Sequence, residues 1–314
     1  MGVSANPEYS SNSLVEFKTN QIKPFKALFD SIKNNLPDTS IFFTADGMKI
    51  LQLDGASNFI VNVHLLAENF EHYYFNQPDG HASVTVNLST LLLNKVFKSV
   101  TADDNLFRLI YEKDSDAIKL EFCSEKKAEC RTYEINLQNP DEDVAIGEIQ
   151  GTEEFPYILT MPCADLQRIC RDLKGQDCEK ITISHDGENL RFTSKGNIKA
   201  NIVRKGTKMD RDGTVCFVRS PDETKQTYSD VFKFSTLHDF SRSQAGCDSK
   251  IVKILLSQGL PIVLYFEVGT LGHMEVAIAP YTVDGVWILN SSKILFQVSI
   301  ELWKWAPIYR HLGQ

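Results

Sequence analysis

Two stretches of this chain read almost in parallel: Ile41 to Asp54, IFFTADGMKILQLD, and Ile181 to Ser194, ITISHDGENLRFTS. In each, apolar and polar residues alternate on both sides of an Asp-Gly pair, the pattern of an antiparallel hairpin with one buried face. Asp46-Gly47 and Asp186-Gly187 therefore mark an internal repeat with a period of about 140 residues. Working outward, each hairpin is preceded by a helix-like stretch, Pro24 to Asn34 and Pro162 to Leu173. Ser89-Thr90-Leu91 and Ser235-Thr236-Leu237 each open a further helix after an alternating strand, with a hydroxyl placed to cap the first turn. Strand-like segments follow both, LFRLIYE with AIKLEF, and KIVKILL with PIVLYFEV. The chain reads as an α+β protein built from two similar domains, 14–137 and 155–283. They are separated by an acidic, apolar-poor connector at 138–154 and flanked by residues 1–13 and an extension, 284–314.

The 314 residues, 42% hydrophobic and 24% charged, suffice for two moderate cores. No apolar run approaches the roughly 18 to 20 residues that span a bilayer, and the first residues lack the basic and apolar regions of a secretory signal. A soluble intracellular protein with no membrane partner is expected. The seven cysteines are scattered singly, with neither a CxxC pair nor zinc-ligand spacing, so they read as reduced thiols and no metal or other cofactor is expected. No phosphate-binding glycine loop, nucleophile elbow or metalloprotease motif is present. Cys170 and His273 offer a nucleophile and a base with nothing in sequence to orient them, and no enzyme activity is expected.

The net charge of -8 argues against a uniformly basic nucleic-acid binder, which makes the location of the positive charges decisive. Lys23, Lys26 and Lys33 fall along one side of the first helix, Lys95 and Lys98 lie three apart on the second, and Arg168, Arg171 and Lys174 follow on the third. The fourth offers Arg242, with His238 a turn before it. Such a row suits a polyanion touched through its phosphates without base readout.

RICRDL at 168–173 after Met161-Pro162, Gly272-His273 with Ala279-Pro280 after PIVLYFEV, and VNLSTLLLNKVFKSV at 86–100 together resemble the proliferating cell nuclear antigen family. The resemblance implies a homotrimeric sliding clamp: a ring of six similar domains around double-stranded DNA, with helices on the inner face and antiparallel sheets outside. It also implies an ATP-driven clamp loader, a site in the nucleus or wherever else DNA replicates, and DNA polymerase among the clients. A hetero-oligomeric damage-response clamp and a non-trimeric viral processivity factor share the fold and remain alternatives. The family's DNA-facing positions fall on Lys26, Lys33, Lys95, Lys98, Arg168 and Arg171. On the fourth helix they fall on Gln244 and Leu237, neither of them basic.

Subunit edges implied by the family fall on Cys130 to Leu137 and Gly196 to Val203, with Tyr133, Ile135 and Ile198 as contact residues. The implied client groove comprises Leu53, Ile146, Ile149, Phe155, Pro261, Ala279 and Pro280. Ser57 and Asn58 stand where the family has His and Val, and Ala277 where it often has Tyr. Beyond Pro280 the sequence continues with KILFQVSIELWKWAPIY, too apolar for a disordered tail. The tail is expected to pack as a helix on the outer surface; its Gln297, Ile300 and Trp303 fit three points of the family's client motif, so competition for the groove is the alternative.

Overall fold

The computed structural model describes residues 12–56, 58–76, 82–138, 155, 157–176, 178–186, 189–195, 198–205, 217–219, 227–242 and 251–281. The first half runs β1 (Ser13–Thr19), α1 (Ile22–Ile32), β2 (Asp38–Thr44), β3 (Gly47–Leu53), β4 (Phe59–Leu66), β5 (His72–Phe75), β6 (Val84–Ser89), α2 (Thr90–Phe97), β7 (Leu106–Glu112), β8 (Ala117–Ser124) and β9 (Glu129–Asn136). The second half repeats that order: β10 (Tyr157–Pro162), α3 (Cys163–Lys174), β11 (Lys180–His185), β12 (Asn189–Lys195), β13 (Lys199–Lys205), β14 (Phe217–Arg219), β15 (Tyr228–Lys233), α4 (Phe234–Ser241), β16 (Ile251–Leu256), β17 (Ile262–Val268) and β18 (Gly272–Ile278).

Pairing follows the repeat. One sheet is ordered β5-β1-β7-β8-β9 and another β13-β12-β11-β15. The third, of nine strands, is ordered β14-β10-β16-β17-β18-β4-β3-β2-β6, which joins the second half's counterpart of the former to the first half's counterpart of the latter. The seam is the antiparallel β18–β4 ladder, running from Gly272 opposite Leu65 to Ile278 opposite Phe59. A β-carbon on Gly272 would stand 2.0 Å from the His64 carbonyl oxygen, which gives the Gly-His pair in the sequence a steric reason.

The helices are amphipathic because apolar residues recur every three or four positions, as with Phe25, Leu28, Phe29 and Ile32 on α1. α1 touches α2 and α4, and α4 touches α3, so the four form one row, α2-α1-α4-α3. Beneath α1 and α2 lies an aromatic cluster in which the Phe107 ring centroid is 5.1 Å from Phe25, 5.4 Å from Phe97 and 5.0 Å from Phe122. A second tie between the halves is reciprocal. Gln21 Nε2 donates to Thr270 Oγ1 at 2.7 Å, and the Thr270 amide donates to Gln21 Oε1 at 2.7 Å. Gly269, at φ +55°, permits that approach, since a β-carbon there would lie 2.5 Å from Gln21 Oε1.

Several sequence expectations are corrected. The first and third helices begin at Ile22 and Cys163 rather than at Pro24 and Pro162. The Ser-Thr-Leu match is two residues out of structural register: α2 begins at Thr90 and α4 at Phe234, so Leu91 is 47% exposed whereas Leu237 is fully buried. The expected hydroxyl caps are absent. Ser89 and Thr90 instead donate to the Pro37 carbonyl, and Thr90 also to that of Leu36, fastening α2 to the turn before β2. Cys123 and Cys130 are not separate thiols but form a disulfide, because the β8–β9 hairpin sets them directly opposite each other. Cys163, Cys170 and Cys178 are free and buried, and Cys216 and Cys247 lie outside the described residues.

The seam predicts a specific weakness. Gly272→Ala forces β4 and β18 apart and is expected to destabilise the chain by about 1–3 kcal/mol, read by urea unfolding. Unchanged stability would mean that the ladder yields without cost.

Candidate functional site

The exposed side of the helical row carries the basic candidates. Lys23, Lys95, Lys98, Arg168, Arg171, Lys174 and Arg242 are exposed, and Lys26 and Lys33 are half-buried. Two of them are neutralised locally. Lys33 pairs with Asp30, and Arg168 lies 4.0 Å from Asp165 and 3.5 Å from Asp172. Burial works against the Asp30 carboxylate, but hydrogen bonds from Lys33 and Asn94 outweigh it and hold the group below its ordinary range. Asp165 is also held by Arg204 of β13 at 2.6 Å, a partner that sequence spacing could not reveal. The other seven basic candidates carry no ion pair among the described residues, which leaves their charge available to an external anion.

The fourth helix contributes little to that face. Leu237 belongs to the core, and His238 is buried with its Nδ1 3.3 Å from Asp239. Arg242 is its one exposed basic residue among those described, and Gln244 lies outside them. On α2, Leu91 and Leu92 are exposed alongside Lys95 and Lys98, an apolar element that the charge pattern did not anticipate.

Among the described residues two long edges remain unpaired: β9 ends the five-stranded sheet and β13 ends the four-stranded one. Along β9, Glu129, Cys130, Thr132, Glu134 and Asn136 are exposed, while Arg131, Tyr133 and Ile135 alternate toward the interior. Tyr133 packs on the core with its ring centroid 6.1 Å from Phe122, and Ile135 is buried, so both offer the edge their backbone more than their side chains. Beside β13, Ile198 is 56% exposed, and Val203 within the strand is exposed too.

The expected groove residues come together in part. Ala279 and Ile60 form a small apolar cluster, separate from the main core, against which Leu51 and Leu53 pack. Pro261 is buried at the start of β17, and Pro280 is half-buried where it bridges to Phe232. Phe155 is half-buried, and Ile146 and Ile149 lie outside the described residues. Ile60 and Leu51 were missed in sequence because they read as ordinary strand positions. Asn58 is buried: the Asp54 carboxylate accepts its backbone amide, its side-chain amide and the Phe59 amide, while its own carbonyl accepts from Ala279 at 2.8 Å. The polar residue in place of the family's Val is thus bound into the loop beside the Ile60 and Ala279 cluster.

The outer side of the seam holds ionisable groups. His64 pairs with His273 across β4 and β18, and Asn62 with Glu275. Asn62 Nδ2 donates to Glu275 at 2.9 Å, and His273 Nε2 is 4.0 Å from the other carboxylate oxygen. Burial, working against the Asn62 hydrogen bond, pushes the Glu275 carboxyl up to about 7. Burial first, then His64 and Lys253, pulls His273 down to about 4. Cys170, by contrast, sits in the main core beneath α3 with its thiol pushed up to about 12 by burial, so the nucleophile and base noted in sequence occupy opposite sides of the sheet.

A chain built as two copies of one sheet-and-helix unit, with its helices in a basic row and an open strand edge at each end, has the architecture of a ring-forming clamp subunit. Residues 14–145 match the N-terminal domain of proliferating cell nuclear antigen, and residues 149–281 match its C-terminal domain. The chain belongs to the proliferating cell nuclear antigen family of DNA sliding clamps, the processivity factors of DNA replication. It is 27% identical over 269 residues to the proliferating cell nuclear antigen of Dictyostelium discoideum, covering 85% of this chain and 99% of that protein. It is 26% identical over 270 residues to probable DNA polymerase sliding clamp 1 of Paramecium bursaria Chlorella virus 1, covering 86% and 97%. The crystal structure of the Entamoeba histolytica antigen superposes with a TM-score of 0.73 at 18% identity, over 86% of this chain and all of that one.

The buried acid at the seam gives a pH prediction. Glu275 keeps its proton in the folded chain up to about pH 7 but loses it near 4.5 when unfolded, so its contribution is lost as pH rises between those values. His273 acts in the opposite window, present above about 6.5 and lost toward 4. Relative to the native chain, Glu275→Gln is expected to gain roughly 1–3 kcal/mol of stability between about pH 5 and pH 8 in urea unfolding. Parallel stability curves for the two chains would refute this.

Proposed function

We propose that three copies of this chain close head to tail into a ring around double-stranded DNA and hold DNA polymerase and other clients to it without any catalysis of their own. The observation that carries this reading is the pair of matched open edges. Within the repeat β9 corresponds to β18, and β13 to β4, so pairing β9 of one copy with β13 of the next reproduces the seam already built inside each chain. Charge supports the match: β9 exposes Glu134 and, partly offset by Arg131, Glu129, whereas β13 exposes Lys199 and Lys205. Head-to-tail contacts of this kind close into rings when the rotation permits.

In such a ring the helical rows line the hole. Lysines and arginines on a fixed surface meet phosphates through many weak, salt-sensitive contacts that carry no sequence information, which lets the ring slide. Clients dock in the Leu53, Ile60 and Ala279 groove through a short apolar plug. An ATP-driven loader that opens the ring, and a place in the nucleus or another intracellular site of DNA replication, complete the reading.

Light scattering across a dilution series tests the assembly. A species near three times 35.5 kDa, about 106 kDa, is expected; a monomer or dimer would overturn the ring. Glu134→Lys is expected to dissociate it, with Lys199→Glu in the same chain restoring it. On circular DNA, each basic residue that contacts a phosphate is expected to lower the salt-dependence slope by about 0.9 when replaced by alanine, Lys98 and Arg171 being the first to try. An unchanged slope would remove that residue from the interface.

A further inference from the structure

Cys130 is where the open edge of β9 begins. Leu137, seven residues on and so of opposite parity, donates to the Asp116 carbonyl on the β8 side at 2.7 Å. Backbone groups alternate in direction along a strand, so those of Cys130, Thr132, Glu134 and Asn136 point away from β8, toward the open edge. Cys123 agrees from the other side, since its carbonyl accepts from the Asn105 amide, just before β7, at 3.0 Å. The two cysteines stand directly opposite each other with Cα atoms 4.1 Å apart, the close spacing of a pair that exchanges no backbone hydrogen bond. The disulfide is therefore what ties Cys130 itself to β8.

Its neighbours are held by other means. Arg131 donates to the Ser99 carbonyl at 2.8 Å and to Asp104, which fastens the strand inward to the loop after α2. In the turn, the Ala128 amide donates to the Glu125 carbonyl at 3.1 Å and the Lys127 amide to Ser124 Oγ at 3.3 Å. Cys130 lies between these two anchors. Among the described cysteines it alone is exposed; Cys123 is half-buried, and Cys163, Cys170 and Cys178 are buried. DNA replication proceeds in compartments that keep thiols reduced. A protein disulfide there is usually transient and redox-sensing, and an exposed one is the kind that exchanges readily.

We propose that Cys123 and Cys130 form a thiol–disulfide switch on the subunit joint, opened by a dithiol reductant. A thiolate of the reductant attacks Cys130 Sγ, the exposed sulfur, and Cys123 leaves as a thiolate that takes up a proton. The second thiol of the reductant then displaces Cys130. Two electrons and two protons pass to the chain, two S–H groups replace its S–S bond, and the reductant keeps the new disulfide. Oxidised, the pair presets the backbone of Cys130 for β13 of the next copy; reduced, Cys130 is free of β8 and the joint loses its first residue for part of the time. The effect on assembly rests on the ring reading above; the loosening of the hairpin does not.

The test compares the full chain in oxidised glutathione and in dithiothreitol, with mass after alkylation showing whether the pair is closed or open. In light scattering across a dilution series, the reduced ring is expected to dissociate at a roughly fivefold higher concentration, as follows for three joints whose edge is ready about a third of the time. The chain carrying both Cys123→Ser and Cys130→Ser is expected to dissociate like the reduced chain in either buffer. One midpoint for both states, or a double variant that still responds to dithiothreitol, would overturn the switch. So would a pair that dithiothreitol leaves closed in the folded chain. A chain that stays monomeric in both states would defeat the ring reading instead, and the hairpin then decides. Amide exchange at Arg131 and Tyr133, which face β8, is expected to quicken severalfold on reduction, and unchanged exchange would overturn the switch.

Discussion

The antiparallel pairing of β4 with β18 is the interaction on which the rest of this molecule depends, because it alone turns two sheets from distant parts of the sequence into one. Each backbone hydrogen bond contributes only about 1 kcal/mol net, and any strand could supply such bonds. What makes the partner specific lies on the two sides of the ladder. Inward, Val61, Val63, Val276 and Ile278 are removed from water together. At one end Gly272 alone lets the chains approach, and the Gln21 and Thr270 clasp fixes the loop beyond it. The contact between α1 and α4, and hence the continuous row of helices, follows from the seam. So does the small apolar cluster, whose members come from β3 and β4 in one half and from Ala279, just past β18, in the other.

The same seam accommodates a conflict. Asn62, His64, His273 and Glu275 are polar groups at the junction of two domains, and burial opposes charge on either the acid or the imidazoles. The arrangement is tolerated because both can be neutral together between about pH 4 and 7, where the protonated acid and the uncharged imidazole avoid the cost of a buried ion. A junction of aliphatic residues would be indifferent to pH.

Much of this organisation was legible in the sequence, and the failures have physical reasons. Asp46-Gly47 and the amphipathic spacing of Phe25 to Ile32 are local signals, so hairpin and helix could be read from them. The Ser-Thr-Leu match misled because identical letters sat two positions apart along their helices: Leu91 faces outward while Leu237 is core. The disulfide was invisible because seven residues of separation say nothing until the β8–β9 register is known. Of the apolar cluster beside the seam, Leu53 and Ala279 had been named through the resemblance. Ile60, an unremarkable residue of a strand, acquires its role only when β18 lies beside it. Arg204 likewise reaches Asp165 across a distance in sequence that no spacing rule covers.

The open edges extend the logic of the seam beyond the single chain. β9 and β13 cannot satisfy each other within one molecule, since they end different sheets that the nine-stranded sheet keeps apart. Backbone complementarity alone would permit β9 to pair with another β9, which is the ordinary hazard of an exposed edge. Charge opposes that outcome. Two copies of β9 would bring Glu129 and Glu134 against their own kind, whereas Lys199 and Lys205 on β13 offer the opposite sign. Arg131 relieves part of the repulsion, since besides Asp104 it lies 3.7 Å from Glu129, so the opposition rests mainly on Glu134. The edge chemistry therefore favours the head-to-tail contact of the proposed ring over a symmetric pair, and only a head-to-tail contact can be repeated around such a ring.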